Sequence, residues 1–322
     1  IIYSFILTNF SDRILYKKKI DKIVSDIETK VNLSQVEFIH AHTWYSDGGV
    51  AYELHKKYKI PFIVAVRNTD LNLFLKYFLH ERSYGRKILL AAHKIITISA
   101  VYKKRMFDDE RLASIIPKIK NKVAIIPNGV DPYWIDSRVS VRKQIKEKKV
   151  IQLLYIGKFD KGKNVINLVN AVKNLNKNDA NNFILTLIGG NGNDEKRVLS
   201  AITDQNCFNY VGRVDDVDEL KKYFQKSDVF TMPSKAETFG LVYMEALLQG
   251  LPVLYTKNEG IDGLYEDLIG EKVENTSVLE IENKIMLLIS NYNQYNFNIE
   301  KFSKNHDWKR IAEVYRQLYT QK

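Results

Sequence analysis

The feature that most restricts the fold of this chain is an alternation of short apolar strand patterns with amphipathic helical ones, repeated almost throughout. Parallel strands need a crossover between them, usually a helix, so this alternation points to parallel sheets with helices on their faces. In the first half Tyr3–Thr8, Val36–Ala41, Pro61–Val66, Lys94–Ser99 and Val123–Ile126 read as strands. Asp12–Val31, Gly48–Lys57, Leu73–Ala92 and Tyr102–Phe107 read as helices between them. Pro127-Asn128-Gly129-Val130-Asp131-Pro132 is then a dense run of turn formers, followed by a polar, basic stretch up to Val150. The second half restarts with Ile151–Ile156 and continues through Ile184–Ile188, Asn209–Val211, Val229–Met232, Pro252–Tyr255 and Lys272–Glu274 as strands. Its helices are expected at Val165–Leu175, before Asp204, at Val217–Gln225, after Phe239, at Ile281–Ser290 and at Trp308–Tyr319.

A chain of 322 residues is longer than one core usually supports, so two domains are the expectation, with the boundary at the turn-rich stretch. The fold class is α/β: two Rossmann-like, doubly wound domains, 1–137 and 138–305, facing one cleft. Ligands of such sheets bind beyond the carboxyl ends of the strands.

With 45% hydrophobic and 27% charged residues the chain reads as an ordinary globular protein, neither disordered nor fibrous. The opening Ile1–Leu7 is too short and lacks a basic leader, so it reads as a strand rather than a signal peptide. One cysteine, Cys207, cannot form an internal disulfide, and a reducing, cytoplasmic compartment fits best. Residues 1–137 carry 22 Lys and Arg against 14 Asp and Glu, a balance of +8; the remainder carry 27 against 24, or +3. A basic first half fits an anionic partner, such as a lipid-linked acceptor at the inner face of a membrane, or a solvated lysine surface. Nucleic acid would call for aromatics interleaved with basic residues or a known module, and the sequence has neither.

Three strand-to-loop junctions carry the chemistry. In the first, Pro233 to Ala246, glycine opens a helix whose free N–H groups near Gly240 and Leu241 suit a diphosphate. Glu237 precedes that helix and Glu245 lies one turn into it. Carboxylates repel phosphate but accept hydroxyl protons, so the pair suits a sugar and a ribose. In the second, Gly157-Lys158-Phe159-Asp160-Lys161-Gly162-Lys163 is a glycine turn with three lysines opening a helix, suited to a charged diphosphate. The third comprises the strand ends at Gly189-Gly190-Asn191-Gly192 and Gly212-Arg213.

The stretch from Glu237 to Glu245 resembles the Glu-x7-Glu motif of the family 4 glycosyltransferases. Its flanks, Val229–Ser234 and Gly250-Leu251-Pro252-Val253, resemble that family's neighbouring strands. The resemblance covers essentially all of 36–320. It implies a GT-B enzyme that moves a sugar from a nucleotide diphosphate sugar to a glycan or lipid-linked acceptor with retention of configuration, with a role in cell-surface polysaccharide synthesis. Glu237 would contact the transferred sugar and Glu245 the ribose, with the backbone of Phe239, Gly240 and Leu241 near the diphosphate or the sugar. Lys158 and Lys163 would stand where the family places an Arg and a Lys, beside Gly157, with Lys161 as the alternative to Lys163; Gly189 and Arg213 would neighbour the nucleotide. No metal or other cofactor is implied. A sugar-nucleotide epimerase of the same fold and a non-catalytic nucleotide-sugar-binding protein are the alternatives.

In the first half, Ile39-His40-Ala41-His42 and Ile125–Asp131 resemble landmarks of the same family. The family's usual His after the third strand is replaced by Arg67-Asn68-Thr69-Asp70. His42, Asn68, Asp70 and Asn128 are the acceptor-side candidates. Relatives begin with a further strand and a glycine-rich acceptor loop, so a missing first βα unit is expected. His306-Asp307-Trp308 resembles the start of a C-terminal helix, 306–322, that packs back on the first domain.

Overall fold

The computed structural model describes residues 16–142, 144, 150–177 and 182–320. The strand expected at Tyr3–Thr8 lies outside them. The chain divides into two compact units, Ile1–Pro127 with Val314–Lys322, and Asn128–Glu313. Residues 128–137, grouped above with the first half, thus cluster with the second.

In the first unit the strands β1 (Ile39–Ala41), β2 (Phe62–Val66), β3 (Lys94–Thr97) and β4 (Val123–Ile125) form one parallel sheet in sequence order. All five residues of β2, Phe-Ile-Val-Ala-Val, are buried, as expected of a central parallel strand covered on both faces. Helix α1 (Tyr16–Lys30) lies against α2 (Ser46–Tyr58). Gly49 allows that approach, because a Cβ there would sit 3.0 Å from the Ile20 side chain.

The single helix expected over Leu73–Ala92 is instead several pieces: a π-helical turn at Asp70–Phe74, a short helix at Leu75–Tyr77, a 3-10 turn at Leu79–Glu81, and α3 (Arg82–Ala91). Phe78 breaks the run with φ −93° and ψ 74°. The Arg82 guanidinium takes up the carbonyls of Leu75 and Lys76 left open by the break, at 2.9 and 3.0 Å. Helix α4 (Ala100–Phe107) starts at Ser99, whose hydroxyl accepts the Tyr102 N–H.

The second unit holds a six-stranded parallel sheet built from β5 (Val150–Lys158), β6 (Asn182–Gly190), β7 (Phe208–Gly212), β8 (Val229–Thr231), β9 (Val253–Thr256) and β10 (Gly270–Val273). Its order is β10-β9-β8-β5-β6-β7, the doubly wound Rossmann order, and the winding reverses between β5 and β8. Helices α5 (Val165–Leu175), α6 (Glu195–Ile202), α7 (Val217–Lys226), α8 (Leu241–Leu248), α9 (Val278–Ser290) and α10 (Ile299–Asn305) complete the unit. The last helix, α11 (Trp308–Thr320), begins in this unit and groups with the first from Val314 onward. Both halves are thus parallel-sheet α/β domains, the expected fold class.

Candidate functional site

Reversal of winding between β5 and β8 sends the loops after these neighbouring strands to opposite sides, which opens a crevice at their carboxyl ends. The loop after β5 carries Lys161-Gly162-Lys163 and the loop after β8 carries Pro233 to Gly240. They are tied together by the Lys235 N–H donating to the Gly162 carbonyl at 2.8 Å. The loop after β6 joins them: Lys161 N–H donates to Asn193 Oδ1 and Asn193 N–H to Asp160 Oδ1, each at 3.0 Å. Gly192 packs so closely that a Cβ would lie 2.2 Å from the Phe159 carbonyl carbon.

At the centre of this loop cluster the Lys163 ammonium is ion-paired with the Glu237 carboxylate. The other Glu237 oxygen accepts the Thr238 N–H at 2.9 Å. The backbone of Glu237 is held from the loop after β9: its N–H donates to Glu259 Oε2 at 2.8 Å, and its carbonyl accepts the Gly260 N–H at 3.0 Å. Two buried tyrosines support the arrangement from below. Tyr155 donates its hydroxyl to the Lys158 carbonyl at 2.8 Å, and Tyr243 donates to the Met232 carbonyl. Burial, and then the Glu237 charge, push the Tyr155 phenol above its ordinary range.

Helix α8 starts at Gly240 in the left-handed conformation, φ +74°, and no side chain caps it. Its first N–H groups therefore point into the loop cluster with positive character. Glu245, one turn along, is largely buried. Loss of hydration, and then the charge of Asp131, push its carboxyl up to about 7. A carboxylate of this kind gains from any ligand hydroxyl that donates to it. Phe239 is buried and its ring packs on His306.

The remaining sequence candidates fall in several places. Gly157 and Gly189 are cross-strand partners, and a Cβ on Gly189 would sit 2.0 Å from the Gly157 carbonyl oxygen, so Gly189 lets β5 and β6 approach at their ends. Lys158 is exposed, and among the described residues its ammonium has no ion-pair partner. Arg213 is exposed and paired with Asp215 at 2.7 Å. Asn128 belongs to the second unit, where its carbonyl accepts from His306 Nδ1 at 2.8 Å.

In the first unit His42 is exposed and its ring lies tilted against His40, with ring centroids 4.2 Å apart. His40 bonds Tyr319 at 2.7 Å, and burial followed by the charges of His42 and Arg67 lowers it to about 4. Asn68 accepts from Asn72 on the next turn. Asp70 is a different case from the acceptor group expected of it. It is 2% exposed, and its two oxygens accept the N–H groups of Trp44, Tyr45 and Arg67 at 3.0, 3.1 and 2.8 Å, which makes it a structural brace. Cys207 is half-buried and burial pushes its thiol up, away from reactivity.

Two features of the second unit escape sequence reasoning. Glu259 follows β9 by three residues, at a carboxyl strand end like the other site loops, and that position was the available signal. The second is a buried chain in which Tyr265 bonds His306 Nε2 while His306 Nδ1 meets the Asn128 carbonyl. The Val130 N–H donates to the His306 carbonyl at 3.0 Å, so His306 fixes the turn beside Asp131. Among the described residues no helix is long and apolar enough to cross a membrane, and no group of three or more metal-binding side chains gathers.

Comparison with known proteins gives two family matches. A model described as glycosyl transferases group 1 matches residues 136–312, and one described as glycosyltransferase family 4 matches residues 6–134. An uncharacterized glycosyltransferase of Methanocaldococcus jannaschii is 28% identical over 296 residues, 88% of this chain and 75% of that one. The alpha-monoglucosyldiacylglycerol synthase of Acholeplasma laidlawii is 25% identical over 74% of this chain and 63% of its own. Among solved structures, Anabaena HepE in complex with UDP aligns with a TM-score of 0.70 at 16% identity, covering 94% of this chain and 82% of that one. The sucrose-phosphate synthase of Thermosynechococcus elongatus aligns at 0.65 with 18% identity, covering 95% and 79%. At such identities the likeness is one of fold, the GT-B class.

Proposed function

This chain belongs to the group 1, family 4 glycosyltransferases, and from that membership we propose that it moves a sugar from a nucleoside diphosphate sugar to a glycan or lipid-linked acceptor with retention of configuration. The observation that carries the reading is the meeting of Lys163 and Glu237 from the loops after β5 and β8, at the switch point of a Rossmann sheet. In this reading the bond between the anomeric carbon and the phosphate oxygen breaks and its electron pair goes to the diphosphate, while the acceptor hydroxyl oxygen bonds the anomeric carbon and its proton passes to the departing diphosphate. Lys158, Lys163 and the uncapped start of α8 stabilise the charge that develops there. Glu237 accepts hydroxyl protons of the transferred sugar and Glu245 those of the ribose. Anabaena HepE was solved with UDP, which supports a nucleoside diphosphate as the group held.

The Acholeplasma relative is named for a diacylglycerol product, and the first 137 residues carry a balance of +8. Both support an acceptor at an anionic membrane face, on the cytoplasmic side, as in cell-surface polysaccharide synthesis. The test is a thermal-shift screen of UDP-, GDP- and ADP-sugars. It is followed by transfer with the donor that binds and determination of the anomeric configuration of the product. An inverted product overturns retention. Stabilisation by none of the three donor classes overturns the donor assignment.

A further inference from the structure

On the reading above, Lys163 meets the diphosphate and Glu237 meets the sugar, yet in the structure the two hold each other. Glu237 has little freedom to leave. Its carboxylate accepts from Thr238, its backbone is bonded on both sides to Glu259 and Gly260, and its Cγ lies 3.2 Å from where a Gly240 Cβ would stand and 3.0 Å from a Gly260 Cβ. Its side chain is 11% exposed, against 27% for Lys163, which hangs on a flexible four-carbon stem. The lysine is therefore the partner able to move.

A bare nucleoside diphosphate entering this site meets an ammonium already neutralised, and a fixed carboxylate beside the place its own negative charge must go. If Lys163 turns to the phosphate, a mostly buried carboxylate is left without its counter-charge. A donor that still carries its sugar avoids this conflict. The sugar hydroxyls donate to Glu237 in place of the ammonium, and Lys163 is released to the diphosphate. We infer that the Lys163–Glu237 ion pair makes the site select the sugar-bearing nucleotide over the bare nucleoside diphosphate, so that the product of transfer is held weakly and leaves. This inference rests on the proposed donor site and adds a specificity role for the pair within it.

The experiment measures affinities of the whole chain by calorimetry, with UDP and UDP-glucose, GDP and GDP-mannose, and ADP and ADP-glucose. Wild type is compared with Glu237→Gln and, should that variant fail to fold, with Glu237→Ala. The expected result has opposite signs for the two ligands of the binding pair. Freed of its partner, Lys163 binds the bare diphosphate about fivefold or more tightly, while the sugar-bearing donor, deprived of its charged acceptor, binds about tenfold or more weakly. Unchanged or weakened affinity for the bare diphosphate in the folded variant overturns the inference and leaves the donor site standing. Failure of wild type to bind any of the six compounds overturns the donor site itself, and the inference with it.

Discussion

The carboxylate of Asp70 accepts the backbone N–H of Trp44 at 3.0 Å, and through Tyr45 and Arg67 it joins the turn before α2 to the end of β2. Two buried N–H groups, of Trp44 and Tyr45, and the half-buried one of Arg67 depend on one side chain. Asp70→Ala should lower the unfolding free energy by about 2–4 kcal/mol, since unsatisfied buried donors are left behind. Chemical denaturation checks this. The donor residues lie in the other unit, so nucleotide affinity of the folded fraction should stay unchanged, and a parallel loss of affinity would contradict the brace assignment.

Glu245 sets a pH dependence whose sign can be worked out. Its carboxyl titrates near 7 in the folded state against an ordinary 4.5, so the folded protein holds this proton more tightly than the unfolded chain does. The stabilising effect of the proton is complete below pH 4.5 and is lost as pH rises through about 7. Glu245→Gln should therefore be more stable than wild type at pH 8, by an amount on the order of 2 kcal/mol and with a higher melting temperature, and close to it at pH 4.5. Equal melting temperatures at pH 8 would remove the case for a strained carboxyl.

Donor binding should run against that stability trend. Ribose hydroxyls donate to the ionised form, so wild-type affinity for the nucleotide sugar should rise between pH 6 and 8 with release of a proton. Glu245→Ala should weaken binding by about 1.5–3 kcal/mol and flatten the profile. Calorimetry in two buffers of different ionisation enthalpy reads both effects.

Gly240 occupies φ +74°, and a Cβ there would stand 2.5 Å from the Tyr243 ring. Gly240→Ala should destabilise the second unit by about 1–2 kcal/mol from backbone conformation alone, more with the clash. It should also weaken the nucleotide sugar, because the start of α8 and Glu237 shift together. Wild-type affinity in the alanine variant would mean that this turn does not shape the site.

The basic first half should give binding to vesicles containing anionic lipid that falls as salt rises, exposed charges being screened over roughly 8 Å at physiological ionic strength. Leu73, Tyr77 and Leu79 are exposed apolar residues of the first unit, at 43, 62 and 64%. Replacing Tyr77 and Leu79 by Ser should reduce cosedimentation further. Equal binding to neutral and anionic vesicles at low salt would leave the charge as a property of solubility.

Strand and helix periodicity located nearly every element of the described residues because both sheets are parallel and their strands are short apolar runs. One exception was Leu73–Ala92, where the helical period continues but Asp70 draws the chain into a π turn and Phe78 breaks it; the short helices Pro132–Asp136 and Ile299–Asn305 were not foreseen either. A local pattern carries no sign of a carboxylate recruited by N–H groups some 25 residues earlier. Asp70 looked like a polar residue at a strand end, the position where site residues belong, and only its three backbone partners reveal it as a brace. Glu237, Glu245, Lys158 and Lys163 were legible as candidates, since each lies at a fixed offset from a strand end.

What the sequence determined by itself was the alternating α/β plan, the glycine positions at the strand ends and the identity of the charged groups beyond them, all consequences of short-range spacing. Which of those groups meet was decided by the strand order. Reversal of winding between β5 and β8 makes neighbours of two loops that start 73 residues apart, from β5 ending at Lys158 to β8 ending at Thr231, and pairs Lys163 with Glu237. Burial, too, is a tertiary property: Glu245 and His306 are ordinary titratable residues in sequence, and only the packing around α8 and the Asn128–Asp131 turn strips them of water and moves their protons.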